Sequence, residues 1–554
     1  MWAGSAAALF ALSVLWALAT PIGAAPDEPV QVIRAASVAR GEIVGHQAAG
    51  QPPAVTTVTV PSSFAQLIGI PACFAFRPTV PAGCAPGLSG SSRPTAASTY
   101  VGRYPPLYYM LVGAPSLLWS SGAAVYAMRI LGALWCALLV GLAFAVAATW
   151  SRSRLLVASL AVAVTPQVVF LSSVVNPSGL EIAAAIATWT CGLVLVVDHR
   201  RAPPAGLVAA TACSASVLAL CRDLSLLWLA GIAAVLLAVA PGATALLRSR
   251  AIRRGALVVL AVGAGAGAYV LAAQALSVLP VGQPVAAHAS VLAVVAEVLG
   301  RTGQYLRESV GVFGWLDTPS PLAVLVGWWT ATGMVVAMAT VSANRRAVGT
   351  LAGVLAAAVA VPTAMIAAHA HADGLVWQGR DGLPLYVGVP LVAGAIAGRS
   401  SADPDVARVG GLAGRLALRL GTLVVVGVAA AQLVDFVWAL RRYTVGLGAT
   451  LDPFAHVAGG WRPPLTAPGL VALAVVAAVA YGRWVLGLQR SAAGRPDRPA
   501  RSGEAGASGS LVADLLLTTL AADGTGRVAT ALTHQATGPA PATRPDHPDA
   551  PALR

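Results

Sequence analysis

Long, uncharged apolar runs decide what this chain can fold into. Windows such as 122–149 and 179–198 exceed the roughly 18 residues that a helix needs to cross about 30 Å of hydrocarbon. In lipid every backbone N–H and C=O must be satisfied within the chain, which leaves helices and closed barrels. The runs are continuous rather than alternating, so a barrel is excluded and helices remain. Composition agrees: 57% of the 554 residues are hydrophobic and only 10% are charged, with a mean hydropathy of +0.76. The expected class is an all-α polytopic integral membrane protein.

Hydropathy places a first span at 3–22. Gly23-Ala24-Ala25 after it resembles a signal-peptidase site, but the segment lacks a basic flank and is read as a retained first helix. Further spans are expected at 122–149, 155–173, 179–198, 204–221, 224–246, 255–277, 320–341, 347–368, 384–398, 420–440 and 466–484. That makes about twelve transmembrane helices in a domain covering 1–489. A large first loop, 23–121, is too polar for the membrane over its first part. Its end, Tyr104-Pro105-Pro106-Leu107-Tyr108-Tyr109 and the apolar stretch behind it, reads as an interfacial or re-entrant helix over 105–120. Residues 490–554 are rich in Arg, Pro, Ala, Gly and Asp and read as a disordered cytoplasmic tail, with a short amphipathic piece at 511–520.

Charge sets the orientation. The net charge is +14 with no lysine, a bias that suggests a GC-rich genome. The arginines do not mark nucleic-acid binding, because they cluster in short connections between apolar spans. Arg152 with Arg154, Arg200 with Arg201, Arg248 to Arg254, Arg345 with Arg346, and Arg399 to Arg419 all fall on one side if 105–120 does not cross. The positive-inside rule makes that side, with the amino terminus, cytoplasmic, in the cytoplasmic (plasma) membrane. The opposite side receives the long first loop, Asn176-Pro177-Ser178-Gly179, Arg222-Asp223, 278–319, 369–382 and 441–465. Most of the non-Arg polar chemistry is there.

Pro26-Asp27-Glu28-Pro29 leads the candidates. Carboxylates at a bilayer edge are costly to keep and are often functional. One of them would act as a general base, its pKa raised by the low dielectric. Alternatively the two hold Mg²⁺ or Mn²⁺, which prefer oxygen ligands, or they cap the helix that follows. Arg34, two turns further, would face back to the pair or form a plain ion pair. In Trp377-Gln378-Gly379-Arg380-Asp381-Gly382, Arg380 could grip phosphate oxygens; the plainer reading pairs it with Asp381 or lipid headgroups. Asn176 and Glu181 would face the same cavity. Asp317 reads either as a binding group or as the N-cap of the 320–341 helix. Arg129 and Asp435 lie inside spans without evident partners. His369, His371 and Asp373 are spaced too closely for a known metal pattern. Of the six cysteines, Cys73 and Cys84 share one polar loop and would pair if that loop lies outside the cytoplasm; two free thiols are the alternative. No Walker loop, Gly-x-Ser-x-Gly elbow or His-Glu-x-x-His is present.

Five of these motifs in this order resemble the bacterial polytopic membrane family filed as domain-of-unknown-function family 2142. They are Pro26-Asp27-Glu28-Pro29 with Arg34-Ala35-Ala36, the Tyr104–Tyr109 run, Asn176-Pro177-Ser178, Gly314-Trp315-Leu316-Asp317 and Gly379-Arg380. The resemblance covers about 20–400. It implies similarity to GT-C glycosyltransferases, with a lipid-phosphate sugar donor, Asp27 or Glu28 as base, and Arg380 on the donor phosphate. Tyr104 and Tyr108 would belong to the substrate-binding face with Asp381. This chain departs from the family at Gln31, where a His is common, and at Asp381, where an aromatic is common. The expectation is therefore a membrane transferase moving a sugar from a polyprenyl-phosphate-linked donor to an envelope acceptor. The runners-up are a transporter or flippase and a non-catalytic assembly factor for envelope lipids or polysaccharides.

Overall fold

The computed structural model of the protein describes residues 1–493 apart from 48–49, 53, 154, 200–202, 241–242, 277–284, 287 and 398–403. The expected tail and its 511–520 piece lie outside the described residues.

The described chain is mostly helical. Among the described residues eight helices are long and apolar enough to cross a membrane: Trp2–Ala19, Gly122–Trp150, Pro177–Asp198, Arg250–Ala272, Leu322–Val341, Arg345–Ala372, Leu418–Thr444 and Ala467–Ser491. A ninth is the pair Leu155–Ala163 and Pro166–Ser172, bent by 62°. Pro166 supplies no N–H and would clash with the preceding turn, so the helix restarts with Thr165 accepting from Val168 N at 3.2 Å. The expected twelve thus reduce to eight, or nine with the bent pair. The segments expected at 204–221 and 224–246 are helices of only 15 residues each, Ala205–Ala219 and Ser225–Val239. At 1.5 Å per residue each spans about 22 Å, short of the hydrocarbon thickness. The segment at 384–398 is divided between Gly379–Tyr386 and Gly388–Ala397.

Pro177–Asp198 is the central helix: 94% of its apolar window is buried, against 11% for Arg250–Ala272 at the periphery. A helix apolar all round and buried all round needs neighbours on every side. It packs on Gly122–Trp150, Ala205–Ala219 and Ser225–Val239. Asn176 and Asn344 start their helices by accepting from Ser178 N and Ala347 N, both at 2.9 Å.

The loop 23–121 is more ordered than its polarity suggests. It holds helix Glu28–Ala39 and an antiparallel sheet in the order β1 (His46–Gln47), β2 (Thr56–Pro61), β3 (Pro94–Thr99). Val58 pairs with Ala97 and Thr56 with Thr99. The period-two run Thr57-Val58-Thr59-Val60 carried the strand signal, with Val58 and Val60 turned inward. The 105–120 stretch is two short helices, Leu107–Val112 and Pro115–Leu118, too short to cross. Cys73 and Cys84 form a disulfide with Cα atoms 6.2 Å apart. Arg442 ties this layer to the bundle, donating to Phe74 O (2.9 Å) and Val80 O (2.6 Å). Closing a loop of this size stabilises by about 2–3 kcal/mol. Replacing both cysteines by serine should therefore lower the unfolding temperature in a scan of the purified protein, and maleimide labelling under native oxidising conditions should leave this pair unmodified.

The remaining connections gather at two ends. At one end meet Asp27, Asn176, Arg222, Glu308, Asp381 and Arg442, as described below. At the other, Ser153 Oγ donates to Gly394 O (2.5 Å), His199 Nε2 meets Trp150 O (2.9 Å), Arg346 Nε donates to Ala238 O (3.1 Å) and Trp484 Nε1 to Ser5 Oγ (2.9 Å).

Candidate functional site

Pro26-Asp27-Glu28-Pro29 is a divider. Asp27 is the N-cap of Glu28–Ala39 with φ +61°, a left-handed conformation that costs about 1–2 kcal/mol for most L-residues. Its side chain makes no capping bond. The kink sends the two carboxylates to different arginines, so they do not share a cation site as the sequence allowed.

Glu28 turns inward and is 1% exposed. Its oxygens accept from Arg129 Nε (2.7 Å) and Nη2 (2.5 Å), and from the backbone N–H of Gly23 (3.0 Å) and Val175 (3.1 Å). Arg129 donates its other N–H groups to the carbonyls of Ala17 (2.9 Å), Thr20 (2.6 Å) and Pro21 (2.8 Å). Those carbonyls lie at the end of helix Trp2–Ala19, where the last turn leaves C=O groups without helical partners and a cation meets the negative end of the helix dipole. With all these bonds in place Glu28 is committed to holding the end of helix Trp2–Ala19 against Gly122–Trp150.

Asp27 turns outward and its side chain is 24% exposed. Its oxygens accept from Tyr100 Oη (2.7 Å) and from Arg380 Nη2 in a short contact. Burial pushes the Asp27 carboxyl up, as the sequence reading expected of this position. Arg380, the Tyr100 hydrogen bond and Arg222 outweigh it and hold the group below its ordinary value. Tyr100 is pushed up, by burial first and then by Asp27.

Arg380 is 8% exposed, and its Nε and Nη1 are buried without a hydrogen-bond partner. Its segment starts helix Gly379–Tyr386, where Asp381 Oδ2 accepts from Gln378 N at 3.2 Å. Gly379 N donates to Glu308 Oε2 (2.5 Å), and a β-carbon at Gly379 would lie 2.3 Å from Tyr305 O. Only glycine permits that approach. Burial raises the Glu308 carboxyl.

Arg222, at the turn between Ala205–Ala219 and Ser225–Val239, gathers the rest. Its Nη1 lies 3.1 Å from Ser178 Oγ, 3.3 Å from Glu181 Oε2 and 3.2 Å from Asp381 Oδ1. Glu181 also accepts from Ser225 Oγ at 2.7 Å, and the Tyr104 ring stands 6.0 Å from the guanidinium. Burial raises the neighbouring Asp223 carboxyl. Asn176 clamps the acidic turn by donating to Pro26 O (3.2 Å), and Tyr108 Oη accepts from Asn176 N (2.9 Å).

Asp27, Tyr104, Asn176, Glu181, Arg380 and Asp381 thus share one cluster, with Tyr108 behind Asn176. Arg34 does not face the acidic pair. It is fully buried and donates to Glu42 O (3.3 Å), Ile43 O (2.6 Å) and Tyr104 O (2.9 Å), so it fixes the chain that carries Tyr104. Asp317 caps no helix: Leu322–Ser342 has Pro321 at its N-cap, and Asp317 pairs with Arg442 at 2.9 Å. Asp435 finds Ser320 Oγ at 2.8 Å, and Arg129 is paired with Glu28 rather than with Asp435. His369 and His371 are exposed, and no group of three or more His, Cys, Asp or Glu able to hold a metal occurs among the described residues. Tyr100 and Glu308 escaped the sequence reading. Tyr100 sits just past β3, a strand within the long polar stretch whose composition reads as loop.

A family model described as "Predicted membrane protein (DUF2142)" matches residues 10–389. No curated protein and no solved structure matches the chain.

Proposed function

For a chain that belongs to the DUF2142 family of predicted membrane proteins, we propose a membrane transferase of the GT-C kind. It moves a sugar from a polyprenyl-phosphate donor to an envelope acceptor at the outer face of the cytoplasmic membrane. The observation that carries the reading is the pairing of Asp27 with Arg380 across 353 positions of sequence, in a polar cluster at one end of an apolar bundle. The disulfide at the site end is a reason to place that end outside the cytoplasm and the amino terminus, at the other end, inside it.

The cluster supplies the two halves of a displacement at the anomeric carbon. The donor phosphate binds Arg380, whose buried Nε and Nη1 lack any partner among the described residues. Phosphate competes with Asp27 for the guanidinium. Asp27 then loses the contact that depresses its pKa and becomes a stronger base while still half-shielded from water. It takes the acceptor hydroxyl proton, the oxygen attacks the anomeric carbon, and the glycosidic bond to phosphate breaks with inversion. Arg380 stabilises the departing phosphate and Arg222 holds Asp381 beside it.

The test is transfer by purified full-length protein in proteoliposomes, with donor and acceptor supplied. Release of polyprenyl phosphate only when acceptor is present supports the reading, and donor translocation without transfer supports a flippase instead. A pH profile adds a second check. The Asp27–Arg380 pair contributes stability above the ordinary carboxylate value of about 4, lost as pH falls through the depressed folded value. The acidic limb of kcat/KM for the donor, which reports the free enzyme, should therefore be low in the wild type. Arg380→Gln leaves burial as the leading influence on Asp27 and should move that limb to higher pH.

A further inference from the structure

Beside the cluster lies a cavity of about 300 Å³ that the chemistry above does not use. Its walls come from Val291–Gly300, Thr302–Gly311, Leu322–Ser342, Arg345–Asp373 and the two helices after Gln378. Val298, Leu306, Ala358 and Val389 make it apolar. The hydroxyls of Thr332 and Thr363 are spent on their own helices, donating to Trp328 O (2.9 Å) and Val359 O (2.7 Å). Such walls suit a hydrocarbon and offer little to a polar solute.

Two features fix how it is oriented. Its outer rim carries Trp329 (38% exposed) and Leu355 (44%), on a flank where Leu322 (75%) and Val326 (57%) are also exposed. On a membrane-spanning bundle that flank meets lipid tails. Its inner wall carries Tyr305 and Tyr386. A β-carbon at Gly379 would strike Tyr305 O, and one at Gly382 would lie 2.6 Å from the Tyr386 ring. Those glycines bracket Arg380, so the inner wall of the cavity packs against the segment bearing the unpartnered guanidinium N–H groups.

We propose that this cavity holds the isoprenoid chain of a phosphate-headed lipid, entering sideways between Leu322–Ser342 and Arg345–Asp373 with its phosphate on Arg380. The head-group half rests on the transferase reading; the chain half rests on the cavity. Gly333 lies on the wall with nothing within 4 Å of where its β-carbon would be, so a larger side chain can be placed there without a clash at that atom.

The experiment measures binding of undecaprenyl phosphate, dioleoyl phosphatidate and inorganic phosphate to the full-length protein in detergent, by native mass spectrometry. Undecaprenyl phosphate should bind the wild type roughly tenfold more tightly than phosphatidate, and should bind Asp27→Asn, which lacks the carboxylate that competes for Arg380, at least as tightly as the wild type. Gly333→Phe should weaken it by a similar factor, and Leu355→Trp at the rim gives the same reading should Gly333→Phe fail to fold. Equal affinity in wild type and filled variants, equal affinity for phosphatidate, or no binding of undecaprenyl phosphate overturns the proposal. Intact binding with normal envelope glycans in Asp27→Asn cells would sink the transferase reading and leave the cavity assignment standing.

Discussion

Asp27→Asn is expected to reduce sugar transfer by about 10²–10⁴-fold while the protein accumulates normally. Asparagine keeps the size of the side chain and can still accept from Tyr100 Oη, so the turn should keep its shape. It cannot take a proton. Asp27 is also the less committed of the two acids, with its side chain 24% exposed and a single ion-pair partner. Comparing envelope glycans of cells carrying wild-type and variant genes, at matched protein levels, reads the effect. Unchanged glycans would remove Asp27 from the chemistry.

Arg129→Met should have the opposite profile: little soluble or membrane-inserted protein survives, whatever the assay of activity. The guanidinium and the Glu28 carboxylate are both buried, and removing one partner strands the other. Breaking a buried pair in this way costs about 3–5 kcal/mol, a large part of the stability of an ordinary domain. The variant also strips the Arg129 hydrogen bonds from the carbonyls of Ala17, Thr20 and Pro21, of which Pro21 O alone keeps a second donor among the described residues, Ala24 N. Glu28→Gln should fail in the same direction but less far, since the amide can keep one acceptor. The readout is the detergent-solubilised protein level and its unfolding temperature. A stable Arg129→Met protein would mean that Glu28 is not held as described. The two neighbours Asp27 and Glu28 would then separate cleanly, one by function and one by folding.

That separation was not legible in the sequence. Two acids between two prolines look alike, and burial, not residue type, distinguishes them. The sign of φ at Asp27 sends one inward and one outward. Arg34 illustrates the same limit: seven positions after Asp27 it has the spacing to face back along a helix, yet it turns to the carbonyls of Glu42, Ile43 and Tyr104. Asp317 looked like an N-cap by position, and Arg442, from a helix more than a hundred residues away, claimed it instead. The count of spans fell for a related reason. Hydropathy sees apolar composition, but proline breaks and short helices decide which segments reach across.

What the amino-acid sequence determined by itself is the class: apolar runs longer than the hydrocarbon is thick leave no alternative to membrane helices, because lipid offers the backbone no partners. It also marked the polar motifs as a set, since charge is scarce and costly in such a chain. What only the tertiary structure decided is which of those charges meet. Ion pairing acts over a few ångströms, and the partners of Asp27 and Glu28 lie 353 and 101 positions away, so helix packing alone chose them.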